Sequence, residues 1–153
     1  VTEWVTGLDL VKEQILVASG NPLSFSQQEV QLRGWAIECR INAEDTRLGF
    51  RPSPGRIVKY LPPDGVGVRV DSAAYSGYEI PPYYDSMIAK VITWGRTREE
   101  AIRRMKRALQ EFEIEGVAST IPYHLKVLEH PHFLSGDVDT RFTELYPIEI
   151  DPA

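Results

Sequence analysis

The sequence predicts an α+β fold in which a small antiparallel sheet is packed against helices. The first observation is the alternation of apolar and polar residues over positions 35–45, which is typical of a half-buried strand. The second is a series of short strand-like runs between residues 30 and 94, separated by turns rich in proline and glycine. Apolar residues at helical spacing flank this region. This order favours an antiparallel sheet or small barrel over alternating βαβ units.

In the alternating strand, the apolar and polar residues occupy opposite faces. The apolar set is Trp35, Ile37, Cys39 and Ile41, and the polar set is Glu38, Arg40, Asn42 and Glu44. Because residues two apart share a face about 7 Å apart, we expect Arg40 to stand between Glu38 and Asn42. A guanidinium held in this way can bind an anion or a carbonyl oxygen through a bidentate fork. An ordinary solvated ion-pair row has the same pattern, and periodicity alone leaves both interpretations open.

Composition and charge restrict the class of protein. The 153 residues are 42% hydrophobic and 25% charged, as in a soluble globular chain with one sizeable core. The net charge of -5 argues against non-specific nucleic-acid binding. No stretch approaches the ~20 apolar residues of a membrane span, and no signal-peptide pattern opens the chain. The single cysteine, Cys39, excludes an internal disulfide and is expected to be a small buried side chain.

The first predicted helix covers residues 9–19. Asp9 can cap its start, and Gly20 followed by Pro22 ends it. Residues 1–7 are interpreted as the tail of a preceding unit, and residues 24–29 as a connector. The apolar residues at helical spacing are Leu8, Val11, Ile15 and Ala18.

Four candidate strands follow, over residues 33–42, 55–60, 66–70 and 87–94. Residues 65–67 (GVG) lack the third glycine and the following helix of a dinucleotide-binding loop. A hairpin turn is therefore favoured there.

Two further helices are predicted towards the C-terminus. Thr97 and Glu100 form a capping box for a helix that ends before Gly116, and a third helix begins near Thr120 and ends before Pro131. The apolar stripe of the former is Ile102, Met105, Leu109 and Phe112, and its basic face is Arg103, Arg104, Lys106 and Arg107. We expect the basic face to be a solvated surface paired with Glu99 and Glu100, with nucleic acid as the alternative. The acidic tail, residues 136–153, is expected to pack over the surface.

Three motifs, in this order, resemble the C-terminal part of biotin carboxylases. They are residues 38–45 (ECRINAED), 52–55 (PSPG) and 81–90 (PPYYDSMIAK). Biotin carboxylases are the ATP-grasp subunits or domains of acetyl-CoA, propionyl-CoA and pyruvate carboxylases. The resemblance implies ATP- and bicarbonate-dependent carboxylation of biotin on a biotin carboxyl carrier protein. It implies ATP and magnesium as cofactors, and a carboxyltransferase as a further partner.

The resemblance also implies roles for individual residues. Arg40 matches the family arginine that contacts biotin, where a fixed cation stabilises negative charge on the ureido oxygen, and Glu38 and Asn42 would support it. Asp85 matches a residue of the homodimer interface, and Arg69 falls in the same neighbourhood. The residue at position 66, a valine, departs from the aromatic interface residue of some members, which leaves the contacts of the dimer open.

By the same resemblance, residues 1–29 are the terminal segment and helix of the ATP-grasp domain. Residues 30–153 are the C-terminal domain, with a small antiparallel sheet of the barrel-sandwich-hybrid type. Residues 1–3 (VTE) match the end of a family run, EHPVTE, so the bicarbonate-deprotonating glutamate and the ligands of ATP and magnesium are expected before residue 1. The fragment alone is then expected to be inactive, to hold no metal, and to expose the stripe Leu8, Val11 and Ile15.

Several alternatives remain at this point. Acetyl-CoA carboxylase is the first expectation for the whole enzyme and pyruvate or propionyl-CoA carboxylase the alternative, because the acceptor is not read from this part. A non-catalytic dimerisation or interaction module presenting Arg40 and Asp85 is an alternative of another class. A biotin or lipoyl carrier is disfavoured because Lys106 lies on a predicted helix. A carboxylate-pair hydrolase built on Glu38 and Glu44 or Asp45 is disfavoured because carboxylates that bracket an arginine on one strand are better explained as its positioning groups. The expected location is the cytoplasm, or the mitochondrial matrix in a eukaryote.

Overall fold

The computed structural model describes residues 1–150, which form six α-helices and nine short β-strands. The helices are α1 (Thr2–Thr6), α2 (Leu10–Ala18), α3 (Arg98–Glu111), α4 (Ile121–Val127), α5 (Pro131–Ser135) and α6 (Phe142–Leu145). The strands are β1 (Trp35–Asn42), β2 (Glu44–Asp45), β3 (Arg51–Pro52), β4 (Gly55–Arg56), β5 (Lys59–Leu61), β6 (Val68–Ser72), β7 (Glu79–Ile80), β8 (Met87–Gly95) and β9 (Glu113–Glu115). In the part of the chain that the structure describes, no helix is both long and apolar enough to cross a membrane.

The central element is a three-stranded antiparallel sheet in the order β1-β8-β6. In its register, Arg40 lies opposite Lys90, which lies opposite Asp71. The register shifts between Ile41 and Asn42, at the end of β1. Since β1 is an edge strand of this sheet, the backbone groups on its outer edge need partners other than a strand.

The other strands pair two by two, β2 with β3, β4 with β7 and β5 with β9, all antiparallel. The predicted α+β class with antiparallel pairing is therefore confirmed. Within residues 1–150 these strands form separate short pieces and do not close into a barrel. The barrel-sandwich-hybrid description stays a prediction.

Helix α3 packs on the inner face of the central sheet. Its N-cap is Thr97, whose Oγ1 accepts a hydrogen bond from the Glu100 backbone N–H at 3.2 Å. The side chains that it buries are Ala101, Ile102, Met105, Ala108 and Leu109. Four of them, all except Ala101, share one apolar cluster with Cys39 and Ile41 of β1. Because neighbouring side chains of a strand point to opposite faces, burying Cys39 and Ile41 turns Arg40 outwards.

The N-terminal residues contain a helix that the sequence did not predict, α1. The Val5 carbonyl accepts a hydrogen bond from the Arg33 N–H at 2.7 Å, and Glu3 pairs with Arg69 of β6. Tertiary contacts therefore hold a segment that is too short to be stable by itself. Helix α2 agrees with its prediction, and the Asp9 carboxylate accepts from the Lys12 N–H at 2.9 Å at its start.

The chain after α3 has more secondary structure than the sequence predicted. The short strand β9 pairs with β5, and helices α5 and α6 follow α4. Gly116 ends this strand at φ 101°, where a Cβ would lie 2.2 Å from the Arg56 carbonyl oxygen. Phe142 of α6 is buried, which agrees with a tail packed on the surface. The last three residues of that tail, 151–153, lie outside the described residues.

Residues 65–67 form a turn, as predicted, but the hairpin prediction is wrong, because the flanking strands β5 and β6 belong to different sheets and do not pair with each other. The Val68 N–H donates to the Gly65 carbonyl at 3.1 Å, and strand β6 follows directly. A strand in place of a helix after the glycines removes the N-terminal dipole that a phosphate loop uses.

Candidate functional site

Arg40 projects from the outer face of the central sheet, and 68% of its side chain is exposed. Its Nε lies 3.7 Å from Oε1 of Glu38, and within residues 1–150 the guanidinium makes no closer polar contact. This long ion pair leaves most of the N–H donors of Arg40 available to another molecule. The expected neighbour relation of Arg40 and Glu38 on one strand face is therefore observed.

Asn42 is held by a different partner. Its Nδ2 donates to Oε1 of Glu44 at 3.2 Å, and the same Oε1 accepts from Oγ of Ser86 at 2.5 Å. The Ala43 N–H also donates to the Ser86 carbonyl at 2.7 Å. Glu44 thus joins the end of the Arg40 strand to the loop of residues 83–86. This contact connects the first motif, residues 38–45, with the third, residues 81–90.

The loop of residues 83–86 presents two exposed aromatic rings, Tyr83 and Tyr84. Asp85 is also exposed, and its Oδ1 accepts from the Met87 N–H at 2.8 Å, which fixes the entry into β8. A cleft of about 230 Å³ lies beside this loop, with Ala43 and Tyr84 in its lining. The Asp85 carboxylate therefore sits on the surface, beside the Arg40 strand.

Arg69 lies on β6 and makes two ion pairs, with Glu3 of α1 at 2.6 Å and with Asp71 at 2.7 Å. The hydrogen bonds to Asp71 and Glu3 raise the pKa of Arg69, and the hydrogen bond from Arg69 lowers the pKa of Glu3. Part of the Arg69 side chain stays exposed. Its position on the third strand places it on the same sheet as Arg40.

The start of α4 contacts the backbone of Arg40, which the sequence did not predict. Oγ1 of Thr120 donates to the Arg40 carbonyl at 3.0 Å, and Nε2 of His124 lies 2.8 Å from the same oxygen. Burial lowers the pKa of His124. The neutral ring must carry its proton on Nε2 in order to donate to a carbonyl. About 80 residues separate these groups from Arg40, and the capping position of Thr120 was the only sequence signal.

Cys39 is buried on the inner face, as predicted. Burial raises the pKa of this thiol to about 12, so it is uncharged at neutral pH. A neutral thiol in the core packs as a small apolar side chain and is a poor nucleophile.

The basic face of α3 is paired within the molecule. Arg104 forms the expected ion pair with Glu100 at 2.6 Å, and Lys106 pairs with Glu129 at 2.9 Å. The other expected pair, Glu99 with Arg103, is not among the close ion pairs of residues 1–150. In the same residues, no group of three or more His, Cys, Asp or Glu side chains is arranged to hold a metal ion.

Comparison with known families shows to which family this chain belongs. The family model described as the biotin carboxylase C-terminal domain matches residues 38–145. The chain belongs to the biotin carboxylase C-terminal domain family. The matched range includes Arg40 and the loop of residues 83–86, so the resemblance inferred from the three motifs is confirmed.

Relatives of this family include proteins of several carboxylases. The chain is 68% identical over 148 residues to Biotin carboxylase 1 of Bacillus subtilis, which covers 97% of this chain and 33% of that protein. It is 55% identical over 151 residues to a pyruvate carboxylase subunit of Methanothermobacter thermautotrophicus, covering 99% of this chain and 31% of the relative. The chain therefore spans about a third of the length of the curated relatives it matches.

A solved structure shares the whole fold. The biotin carboxylase domain dimer of the Hydrogenobacter thermophilus 2-oxoglutarate carboxylase, in complex with MgADP, ADP and bicarbonate, is 48% identical to this chain with a TM-score of 0.96. The match covers 100% of this chain and 34% of that one. The sheet that carries Arg40 thus has the architecture of a biotin carboxylase.

Proposed function

We propose that this chain is the C-terminal part of a biotin carboxylase that uses ATP and bicarbonate to carboxylate biotin on a carrier protein. Residues 1–29 are the end of its ATP-grasp domain, and residues 30–153 are its C-terminal domain, of the barrel-sandwich-hybrid type. The family match and the Bacillus subtilis relative support this proposal. The single observation that carries the site is the exposed guanidinium of Arg40 on a rigid strand.

Arg40 binds the ureido oxygen of biotin in this proposal. Loss of the N1 proton leaves negative charge on that oxygen, and a permanently charged planar donor stabilises it. Glu38 restrains the guanidinium from one side without saturating it. Asn42 supports the site through Glu44 and the backbone of β1. The free N–H donors of Arg40 fit this chemistry.

The described residues do not fit a complete nucleotide and magnesium site. Within residues 1–150, no carboxylate or histidine cluster has the arrangement of metal ligands, so no step through magnesium is assigned to this chain. We therefore propose that the chain alone does not hydrolyse ATP. Its coverage of about a third of its relatives supports this proposal. Bicarbonate-dependent ATP hydrolysis by the isolated chain would contradict it.

The proposed assembly is a homodimer that also meets a biotin carboxyl carrier protein and a carboxyltransferase. The dimer in the Hydrogenobacter structure supports a second copy as a partner. Asp85 is accessible on the surface, and Arg69 is partly so. Both residues are proposed to lie at the interface, although Arg69 already binds Glu3 and Asp71. A non-catalytic interaction module would use the same surface.

The acceptor of the carboxyl group is a finer proposal. Acetyl-CoA carboxylase, and hence fatty acid synthesis, remains the first choice. Pyruvate carboxylase is the second candidate and is favoured by the 55% identity to the Methanothermobacter protein. Propionyl-CoA is the third acceptor. A cytoplasmic location, or the mitochondrial matrix in a eukaryote, is supported by the single unpaired cysteine, which suits a reducing compartment.

The test of the Arg40 role is Arg40→Ala in the full-length enzyme. We expect biotin carboxylation to fall by about 100- to 1,000-fold, as for removal of one oxyanion donor, while bicarbonate-dependent ATP hydrolysis persists. Arg141→Ala is the matched control, because Arg141 is similarly exposed, at 67%, and also pairs with an acidic residue two positions before it. Equal loss of both activities in Arg40→Ala, or the same loss in Arg141→Ala, would contradict the role.

A further inference from the structure

The outer edge of β1 is held by the first turn of α4 directly at Arg40. Oγ1 of Thr120 donates to the Arg40 carbonyl at 3.0 Å and accepts from the Asn42 N–H at 3.0 Å. The Thr120 N–H donates to the Asn42 carbonyl at 3.1 Å, and Nε2 of His124 lies 2.8 Å from the Arg40 carbonyl oxygen. All four contacts reach the backbone of Arg40 or Asn42, and none reaches their side chains.

These contacts replace a missing neighbouring strand. In an antiparallel strand, the N–H and C=O groups of Arg40 and Asn42 point to the same edge, and β1 has no strand on one edge of its sheet. The register shift between Ile41 and Asn42 falls in the same place. Thr120 is only 4% exposed, so its hydroxyl serves these backbone groups in a site closed to solvent. A hydroxyl can donate and accept at once, whereas a methyl group can do neither.

The side chain of Arg40 depends on this backbone for its direction. Its closest polar contact within residues 1–150 is the 3.7 Å ion pair with Glu38, and most of it is exposed. A side chain with so few contacts of its own takes its aim from the position of its Cα and from the path of the strand. Any twist or slip of β1 at Arg40 would therefore move the guanidinium.

We propose that Thr120 and His124 are positioning residues that aim Arg40 at its substrate. This inference rests on the proposed role of Arg40 in binding biotin. Both residues act through the Arg40 carbonyl and not through its side chain. Displacing a catalytic group by about 1 Å can cost about 100-fold in rate, so a small shift of the strand is enough to be measured.

The test uses the full-length enzyme with Thr120→Val and Thr120→Ser. Valine keeps the shape but removes both hydroxyl contacts, and serine restores them. We expect Thr120→Val to lower biotin carboxylation by about 10- to 100-fold and to leave bicarbonate-dependent ATP hydrolysis within about 2-fold, with Thr120→Ser close to wild type. His124→Leu removes one contact and should also lower biotin carboxylation selectively, by a smaller factor. This second variant still tests the proposal if Thr120→Val does not fold.

Thr93→Val is the matched control. Thr93 is a fully buried threonine of the same sheet, and its Oγ1 donates to the Ala101 carbonyl at 2.9 Å, away from Arg40. This variant loses a comparable buried hydrogen bond, so it should lower thermal stability. It should not lower biotin carboxylation selectively relative to bicarbonate-dependent ATP hydrolysis. The same separation in Thr93→Val would show that loss of stability, and not positioning, is the cause.

A double-mutant cycle with Arg40→Ala distinguishes the two proposals. If Thr120 acts through Arg40, Thr120→Val has no further effect on carboxylation once Arg40 is alanine. If the fold-losses of carboxylation from Arg40→Ala and Thr120→Val multiply in the double variant, the two residues act independently and the positioning role is overturned. If Arg40→Ala lowers carboxylation and neither Thr120→Val nor His124→Leu does, the positioning role of Thr120 and His124 fails, while the proposed role of Arg40 stands. If Arg40→Ala itself has no effect on carboxylation, the proposed function of Arg40 fails.

Discussion

Helices α2 and α3 are both amphipathic, but they relate to the core in opposite ways. Helix α3 buries five side chains against the central sheet, with Met105 and Leu109 among the most enclosed. Helix α2 buries only Glu13, while Val11 is 61% and Ile15 is 62% exposed. A short helix gains most of its stability from tertiary packing of its apolar face. The apolar face of α3 has its packing partners within this chain, whereas that of α2 does not.

The contrast shows which part of the chain buries its own apolar side chains. Residues from β1 onwards enclose their own apolar cluster, whereas α2 is anchored by polar contacts. The Glu13 carboxylate accepts from the Ser24 N–H at 3.0 Å and from the Ser24 hydroxyl. A helix with a polar anchor and an uncovered apolar face fits the proposal that residues 1–29 belong to the ATP-grasp domain.

The largest predicted difference between the helices is in side-chain truncation. Leu109→Ala should lower the free energy of unfolding of this chain by about 2–5 kcal/mol, because it opens a cavity in the core. Ile15→Ala, in α2, should change it by less than about 0.5 kcal/mol. Urea denaturation of both variants measures the contrast. Equal losses would mean that α2 packs on the core after all.

Amide hydrogen exchange should show the same contrast without mutation. The α2 amides are expected to exchange at least about 100-fold faster than the α3 amides in this chain, because α2 can open without exposing the core. In the full-length enzyme, the proposed ATP-grasp domain should cover α2 and slow the exchange of its amides, so the difference in exchange rate between α2 and α3 should be smaller. Equal protection of α2 and α3 in the isolated chain would be inconsistent with an uncovered helix.

A smaller effect is expected from pH, through the anchor of α2. Hydrogen bonds from the Ser24 hydroxyl and N–H lower the pKa of Glu13 below its usual value of 4.5. Its stabilising effect is therefore fully present above pH 4.5 and is lost as the pH falls through the lowered pKa of the folded state. Exchange of the α2 amides measured against pH should accelerate in that range, and Glu13→Gln should remove this dependence. An unchanged pH response in Glu13→Gln would assign the effect to another group.

Local patterns in the sequence were enough to predict some of these elements. The alternation around Arg40 correctly separated the buried Cys39 and Ile41 from the exposed guanidinium, and the capping residue Thr97 correctly placed the start of α3. Each of these features depends on residues a few positions apart. Motif resemblance then added the hypothesis that Arg40 contacts biotin, which periodicity had left open and which stays a prediction.

Contacts between distant parts of the chain could not be predicted in this way. Strand β9 has three residues and exists because β5 lies beside it. Helix α1 is stabilised by the ion pair of Glu3 with Arg69, 66 residues away. The contacts of Thr120 and His124 with Arg40 span about 80 residues. The alternating pattern gave no indication that the edge of β1 would be closed by a helix.

The most direct test of the central claim is Arg40→Lys in the full-length enzyme, assayed for biotin carboxylation and for bicarbonate-dependent ATP hydrolysis. Lysine keeps the charge but lacks the planar fork of donors. We predict that carboxylation falls by at least about 10-fold while ATP hydrolysis is retained, as expected for a donor that acts on the developing charge of the ureido oxygen. Wild-type carboxylation by the lysine variant, or an equal fall in both activities, would contradict the assignment of Arg40 to biotin.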